Sequence, residues 1–328
     1  MKRIAINGFG RIGRLTLRQL RKNENLKIVA INDLTDAATL AHLLKYDSVQ
    51  GGMKEEITSE EGALYLDSEK IEHFSEKDPE NLPWKKLEVD LVIECTGMFR
   101  TRKALQKHLD AGARKVLLSA PAKDDIKTIV LGVNDHIIQP DDLMLSNASC
   151  TTNCLAPMAK VLHDSFTIKR GYMTTTHAYT ATQNLLDGAH KDLRRARAAA
   201  LSIIPTSTGA AKALGLVMPE LDGKLDGFAM RVPTPTGSVV DLTALLDGTP
   251  DTEEINRVMK VAANGPMKGI LEYTAAPIVS ADVVGHPASC IFDSGLTSVQ
   301  DNLVKVVGWY DNEMGYAARL ADMAHLMA

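Results

Sequence analysis

The run Gly8-Phe9-Gly10-Arg11-Ile12-Gly13 follows directly on the strand-like segment Arg3 to Asn7 and opens the helix-like stretch Arg11 to Arg21. Glycines at these spacings let a strand turn sharply into a helix, with the backbone free to approach a ligand closely. The first N–H groups of that helix then face outward, where a pyrophosphate can sit. Asp33 ends the next strand-like run, twenty residues after Gly13, where a carboxylate can hydrogen-bond a ribose 2′-hydroxyl. The same charge repels a 2′-phosphate, so the residues point to NAD rather than NADP. A glycine turn that only joins strand to helix would need no acid at that distance.

The first half of the chain alternates short β-branched runs with helical patterns. The runs are Arg3 to Asn7, Lys27 to Asn32, Val89 to Cys95, Val116 to Ser119, Thr128 to Val133 and Leu143 to Ser146. Such alternation predicts βαβ units around a parallel sheet, an α/β Rossmann arrangement. Cys95-Thr96-Gly97 and Ser119-Ala120-Pro121 then fall at strand ends, on the crevice where the cofactor binds. Asp47 to Lys86 is polar and rich in turn residues, and reads as short antiparallel strands or loops outside the sheet core. After Asn153 a helix over about Cys154 to His163 is followed by longer strand-like runs at Gly171 to Ala178, Gly227 to Val232, Ser238 to Leu246 and Leu303 to Tyr310. These predict a second, α+β domain with a mixed, largely antiparallel sheet. Gly315 to Ala328 reads as a closing helix that returns to the first domain.

A chain of 328 residues with 45% apolar content has enough material for two such cores. Its net charge of −4 conceals no long block of one sign, so neither a nucleic acid nor a membrane surface is an obligatory partner. The N-terminus runs straight into a strand, with no signal-peptide pattern, and no segment approaches about 18 uninterrupted apolar residues. A cytoplasmic location is the expectation. The four cysteines, Cys95, Cys150, Cys154 and Cys290, are then free thiols whose roles are packing or chemistry.

Cys150, in Ser149-Cys150-Thr151-Thr152-Asn153-Cys154, falls in the first turn of the helix that follows the strand Leu143 to Ser146. The positive end of a helix dipole favours thiolate and predicts a lowered thiol pKa, hence a nucleophile at neutral pH. His177, at the end of Tyr172 to Thr176, is placed to hold that thiol ionised and to act as acid or base, although a lone histidine is also a common structural residue. Cys150 and Cys154 lack the second Cys or His pair that a zinc site requires, so no metal is expected. Cys154, Cys95 and Cys290 read as packing thiols. Thr180, Arg197, Thr208-Gly209 and Arg231 supply the hydroxyl and guanidinium groups from which phosphate sites are made.

Taken together, Ala5 to Arg14, Ser146 to Cys154, Thr176 to Thr180, Ile203 to Lys212 and Trp309 to Glu313 resemble the phosphorylating glyceraldehyde-3-phosphate dehydrogenases over essentially the whole chain. The resemblance implies a Rossmann domain over 1–148, completed by a helix over 313–328, and a catalytic domain over 149–312. It implies a homotetramer in which the connection Tyr179 to Leu201 lies across a neighbour's cofactor site. Glyceraldehyde 3-phosphate, inorganic phosphate and NAD are the implied ligands, with Cys150 forming a thioester assisted by His177. Thr180 and Arg231 match the family's substrate-phosphate groups, and Ser149, Thr151, Thr208, Gly209 and Arg197 match its inorganic-phosphate groups. Cofactor contacts map to Gly8, Gly10, Gly13, Arg11, Ile12, Asp33, Ser119 and Asn312.

Two positions depart from the pattern. Lys77 stands where many members carry arginine on the adenine side. Gly188-Ala189 stands where NAD-specific members commonly have Leu-Pro, which leaves room for secondary use of NADP. Erythrose-4-phosphate dehydrogenase is the neighbouring alternative, against which Thr180 speaks. An added adhesin or RNA-binding role finds only the Arg194, Arg195 and Arg197 cluster in its favour.

Overall fold

The computed structural model describes residues 1–328, which divide into two compact units. One contains residues 1–129, 137–148 and 317–328, and the other 130–136 and 149–316.

The first unit carries β1 (Lys2–Asn7), α1 (Arg11–Leu20), β2 (Leu26–Asn32), α2 (Ala37–Lys45), β3 (Ile57–Glu60), β4 (Ala63–Leu66), β5 (Glu69–Phe74), β6 (Leu91–Glu94), α3 (Arg102–Asp110), β7 (Lys115–Leu118) and β8 (Met144–Ser146). They form one sheet in the order β3-β4-β5-β2-β1-β6-β7-β8. The pairs from β5 to β8 are all parallel, while β3 and β4 form an antiparallel edge. Strand order reverses beside β1, because β2 lies on one side of it and β6 on the other. That reversal opens the crevice at the carboxyl ends of β1, β2 and β6 where ligands of such sheets bind. Burial follows the topology: Ile4, Ala5 and Ile6 of β1 and Leu91, Val92 and Ile93 of β6 have no exposed surface, as strands covered on both faces should.

Two sequence expectations need correction here. Thr128 to Val133 is not a strand; only Thr128 bridges Ser146. The Asn134 side chain accepts from Val130 N–H at 2.8 Å and Asp135 accepts from Gly132 N–H at 2.8 Å, so local side-chain turns capture the backbone groups that a ladder would use. The polar stretch from Asp47 to Lys86 also contributes to the sheet core, since β5 pairs in parallel with β2, Ala30 opposite Glu72.

The second unit holds α4 (Cys150–Phe166), β9 (Ile168–Ala178), β10 (Ile204–Ser207), α5 (Ala210–Val217), β11 (Leu225–Val232), β12 (Ser238–Leu246), α6 (Thr252–Asn264), β13 (Leu271–Thr274), β14 (Cys290–Asp293), β15 (Ser298–Gln300) and β16 (Leu303–Tyr310); α7 (Met314–Met327) closes the chain. Its sheet runs β10-β11-β9-β12-β16-β14-β13, with β15 on β16. Only β11/β9 and β13/β14 are parallel, so the sheet is mixed and mostly antiparallel, as expected. From Ala317 onward the closing helix clusters with the first unit. No helix is long and apolar enough to cross a membrane.

Candidate active site

In the first unit the glycine run works as its spacing requires. Gly8 has φ +90°, and a Cβ there would stand 2.6 Å from Thr96 N; a Cβ at Gly13 would stand 2.2 Å from Gly8 O. Both positions exclude any larger residue. A Cβ on Gly10 would meet nothing within 4 Å, so the backbone there is open to a ligand. Gly10 caps α1 without a side-chain hydrogen bond, and no acidic residue occupies the first turn, which leaves the positive helix end available to an anion. Beside it lies a cavity of about 450 Å³ lined by Gly8, Gly10, Asp33, Lys77, Thr96 and Phe99 among others. The residues therefore fit a dinucleotide.

Asp33 receives Phe9 N–H at 2.7 Å on one oxygen and Thr35 N–H at 2.9 Å on the other, so its carboxylate is fixed before any ribose arrives. Arg11, Ile12, Gly13 and Ser119 do not line the cavity. Arg11 is drawn to Asp47 at 2.8 Å. Ser119 faces the Cys95 thiol, which is half-buried and lines the cavity rather than packing in the core as expected; desolvation pushes it up to about 12, so the thiol stays protonated.

In the second unit Ser149 caps α4, its Oγ accepting Thr152 N–H at 3.1 Å, and Cys150 is the first helical residue. β9 delivers His177 beside it, with Nε2 3.5 Å from Cys150 Sγ. The His177 ring is held from behind: Nδ1 lies 2.7 Å from the Ala178 carbonyl and 2.8 Å from Arg231 Nη1, which also donates to that carbonyl at 2.9 Å. With Nδ1 donating to Ala178, Nε2 presents a lone pair to the sulfur, as a general base must. Tyr310 completes the wall, edge-on to His177 with centroids 6.0 Å apart, its hydroxyl 2.9 Å from Thr151 Oγ1 and 3.0 Å from Thr175 Oγ1.

The electrostatics correct the expectation that the helix start alone ionises the thiol. Burial pushes the Cys150 thiol above its ordinary value, against the opposing pull of Arg231 and local hydrogen bonds. Burial, and then the Arg231 charge, lower His177 from 6.5 to about 3. Each group resists ionising by itself. A proton passed from Sγ to Nε2 creates both charges at once, 3.5 Å apart, with the helix N–H groups and the Arg231 charge favouring the thiolate while the same Arg231 charge opposes the imidazolium. Ionisation of this thiol is therefore a property of the pair.

Acid should expose this arrangement. A histidine whose folded pKa lies below its unfolded value contributes stability above about pH 6.5 that is lost as pH falls through about 3. Denaturation midpoints measured between pH 7 and 4 should show a loss of roughly a few kcal/mol that His177→Asn removes. Equal acid sensitivity in the two proteins would contradict the lowered histidine.

Among the expected phosphate groups, Thr180 Oγ1 lies 2.9 Å from Thr182 Oγ1, and Arg197 is exposed and paired with Asp187 at 2.9 Å. Thr208 and Gly209 precede α5, whose cap has no side-chain hydrogen bond. Asn312 is fixed by Ser238 Oγ, which donates to its Oδ1 at 2.8 Å and accepts Ala178 N–H at 3.1 Å. Its amide nitrogen is thereby the end left for a ligand. Cys154 is buried, its sulfur 3.6 Å from the Gly308 carbonyl, a packing thiol as expected.

An uncapped, glycine-rich helix start beside a cavity that fits a dinucleotide and a cysteine held against a histidine are features of a thiol-dependent nicotinamide oxidoreductase. Residues 2–102 match the NAD-binding domain of glyceraldehyde 3-phosphate dehydrogenase, and 149–312 match its C-terminal domain. Glyceraldehyde-3-phosphate dehydrogenase of Mycolicibacterium smegmatis is 58% identical over 99% of this chain and 98% of its own length. The corresponding protein of Mycobacterium avium is 57% identical, and glyceraldehyde-3-phosphate dehydrogenase 2 of Streptomyces arenae 56%, each with the same coverage. The chain belongs to the glyceraldehyde-3-phosphate dehydrogenase family, and NAD is its cofactor.

Proposed function

We propose that the protein oxidises glyceraldehyde 3-phosphate to 1,3-bisphosphoglycerate, with inorganic phosphate as co-substrate, through a thioester on Cys150. The Cys150–His177 contact at 3.5 Å carries this reading. Sγ adds to the aldehyde carbon as its proton passes to Nε2, giving a hemithioacetal. The protonated His177 passes that proton to the carbonyl oxygen, which becomes the hemithioacetal hydroxyl, and as free base again takes it back as the carbon is oxidised. NAD+, when bound, accepts the hydride. Phosphate then attacks the thioester carbonyl and Cys150 leaves as thiolate, ready for another turnover.

Thr180 and Arg231 are assigned to the substrate phosphate, and Ser149, Thr151, Thr208, Gly209 and Arg197 to the inorganic ion. Because the Thr151 hydroxyl is engaged by Tyr310, its contribution is its backbone N–H at the helix start. The amide nitrogen of Asn312 is assigned to the nicotinamide carboxamide. A homotetramer is supported by the connection after Tyr179, where Leu185, Leu186, Leu193 and Leu201 are strongly exposed and call for cover. A cytoplasmic site of action fits four free thiols.

The test is a rapid-mixing assay. Without phosphate, glyceraldehyde 3-phosphate should give a burst of about one NADH per subunit and then stall, and phosphate should restore turnover. Sustained phosphate-free turnover would make the enzyme non-phosphorylating, and faster oxidation of erythrose 4-phosphate would assign it to the sister activity.

Asp33 sets the cofactor preference in this reading. Asp33→Asn removes a charge worth about 1–4 kcal/mol against a nearby 2′-phosphate. The ratio of kcat/KM for NAD+ over NADP+ should fall about tenfold or more, and an unchanged ratio would move the discrimination elsewhere, Gly188-Ala189 first.

A further inference from the structure

Beneath the dinucleotide cavity lie two ionisable side chains that no step above uses. Glu94, at the end of β6, and His108, on α3, are both fully buried, with Nε2 3.2 Å from Oε2. Trp84 Nε1–H donates to His108 Nδ1 at 3.0 Å, so the imidazole proton lies on Nε2 and donates to Glu94.

The carboxylate gathers the cavity wall. Its Oε2 also accepts from Asn7 Nδ2 at 2.5 Å, and its Oε1 accepts from Thr96 N–H at 2.8 Å and from the Thr96 hydroxyl. Asn7 Oδ1 in turn accepts from Asn32 Nδ2 at 2.7 Å, and Asn32 clasps Glu76 through both its N–H and its carbonyl. Phe99 packs edge-on against His108, with centroids 6.4 Å apart. Asn7, Asn32, Glu76, Thr96 and Phe99 all line the cavity, whereas Glu94, His108 and Trp84 do not.

We propose that the His108–Glu94 pair is a positioning device for NAD+, holding the ends of β1, β2 and β6 at the spacing the dinucleotide requires. A carboxylate with four donors from three segments cannot let one wall drift without leaving a buried group unpaired. Stability alone is a weak reason to keep such a pair, because apolar residues of similar volume often serve the core as well. The inference rests on the assignment of this cavity to NAD+ and is independent of the chemistry at Cys150.

Isothermal titration of the full-length protein with NAD+, together with steady-state kinetics, tests it. His108→Phe should raise both Kd and KM for NAD+ about tenfold or more, with kcat at saturating NAD+ and the alkylation rate of Cys150 within about twofold of wild type. His108→Gln, which can still donate to Glu94 and accept from Trp84, should recover most of the affinity. If His108→Phe does not fold, Trp84→Phe, which removes only the indole donor, should still raise Kd about threefold. NAD+ affinity within twofold of wild type in whichever variant folds would overturn the proposal and leave the pair a purely structural one. Failure of the wild-type protein to bind NAD+ would instead tell against the cavity assignment.

Discussion

Cys150→Ser should abolish dehydrogenase turnover, lowering kcat on the order of 10⁴-fold or more while leaving NAD+ binding unchanged. The exchange keeps the side chain's size at the first position of α4, so the Ser149 cap and the helix persist. What changes is the acidity of the group that His177 faces at 3.5 Å. A thiol can hand its proton to an imidazole at neutral pH, whereas a hydroxyl gives it up far less readily, and an ester is a poorer acyl donor to phosphate than a thioester. The burst of NADH without phosphate should disappear with the steady state. A variant that retains full activity would remove Cys150 from the chemistry, and one that loses NAD+ affinity in parallel would show that the substitution had disturbed more than the nucleophile.

Much of the first unit was legible because its constraints are local. Gly8, Gly10 and Gly13 must be glycine or open backbone whatever else the chain does, and β1, β2 and β6 are near-continuous apolar runs because both their faces are covered. Where Asn134 and Asp135 capture the backbone, a β-branched run became a turn, since side-chain hydrogen bonds outcompeted propensity. The second unit was less legible. Its short strands β13, β14 and β15 are only three or four residues long; β14 and β15 are held by β16, and β13 by β14. α6 did carry a readable signal, the Asp251–Glu254 capping box ahead of an amphipathic run.

At the site, spacing placed Cys150 on its helix start and His177 on its strand end, but their contact depends on a long-range arrangement that no motif encodes. Burial, which raises the thiol and lowers the imidazole, likewise appears only when the chain is packed. Glu94 carries a signal of its own in the first unit: a carboxylate continuing the buried run Leu91-Val92-Ile93 has to find donors, and it finds them under the cavity. Tyr310, inside the Trp309 to Glu313 run, fills the space between Thr151, Thr175 and His177, a role set only by the packed fold.

His177→Asn should lower kcat/KM by about 10² to 10⁴, the range that loss of a positioned general base produces. The same substitution separates activation of the thiol from its location. If Nε2 accepts the Sγ proton as the thiol reacts, iodoacetamide should alkylate wild-type Cys150 rapidly at pH 7. Asparagine cannot take the proton, and burial then holds the thiol above its ordinary value of 9.0. Alkylation of the variant should be slower at pH 7 and should climb about tenfold per pH unit with no plateau below about pH 8, because reaction follows the thiolate fraction. Arg231 remains beside the vacated ring position and still favours thiolate, so the residual rate measures what cation and helix start achieve without a base. Equal alkylation rates at pH 7 would mean that those two features suffice, and His177 would keep only its part in the oxidation step.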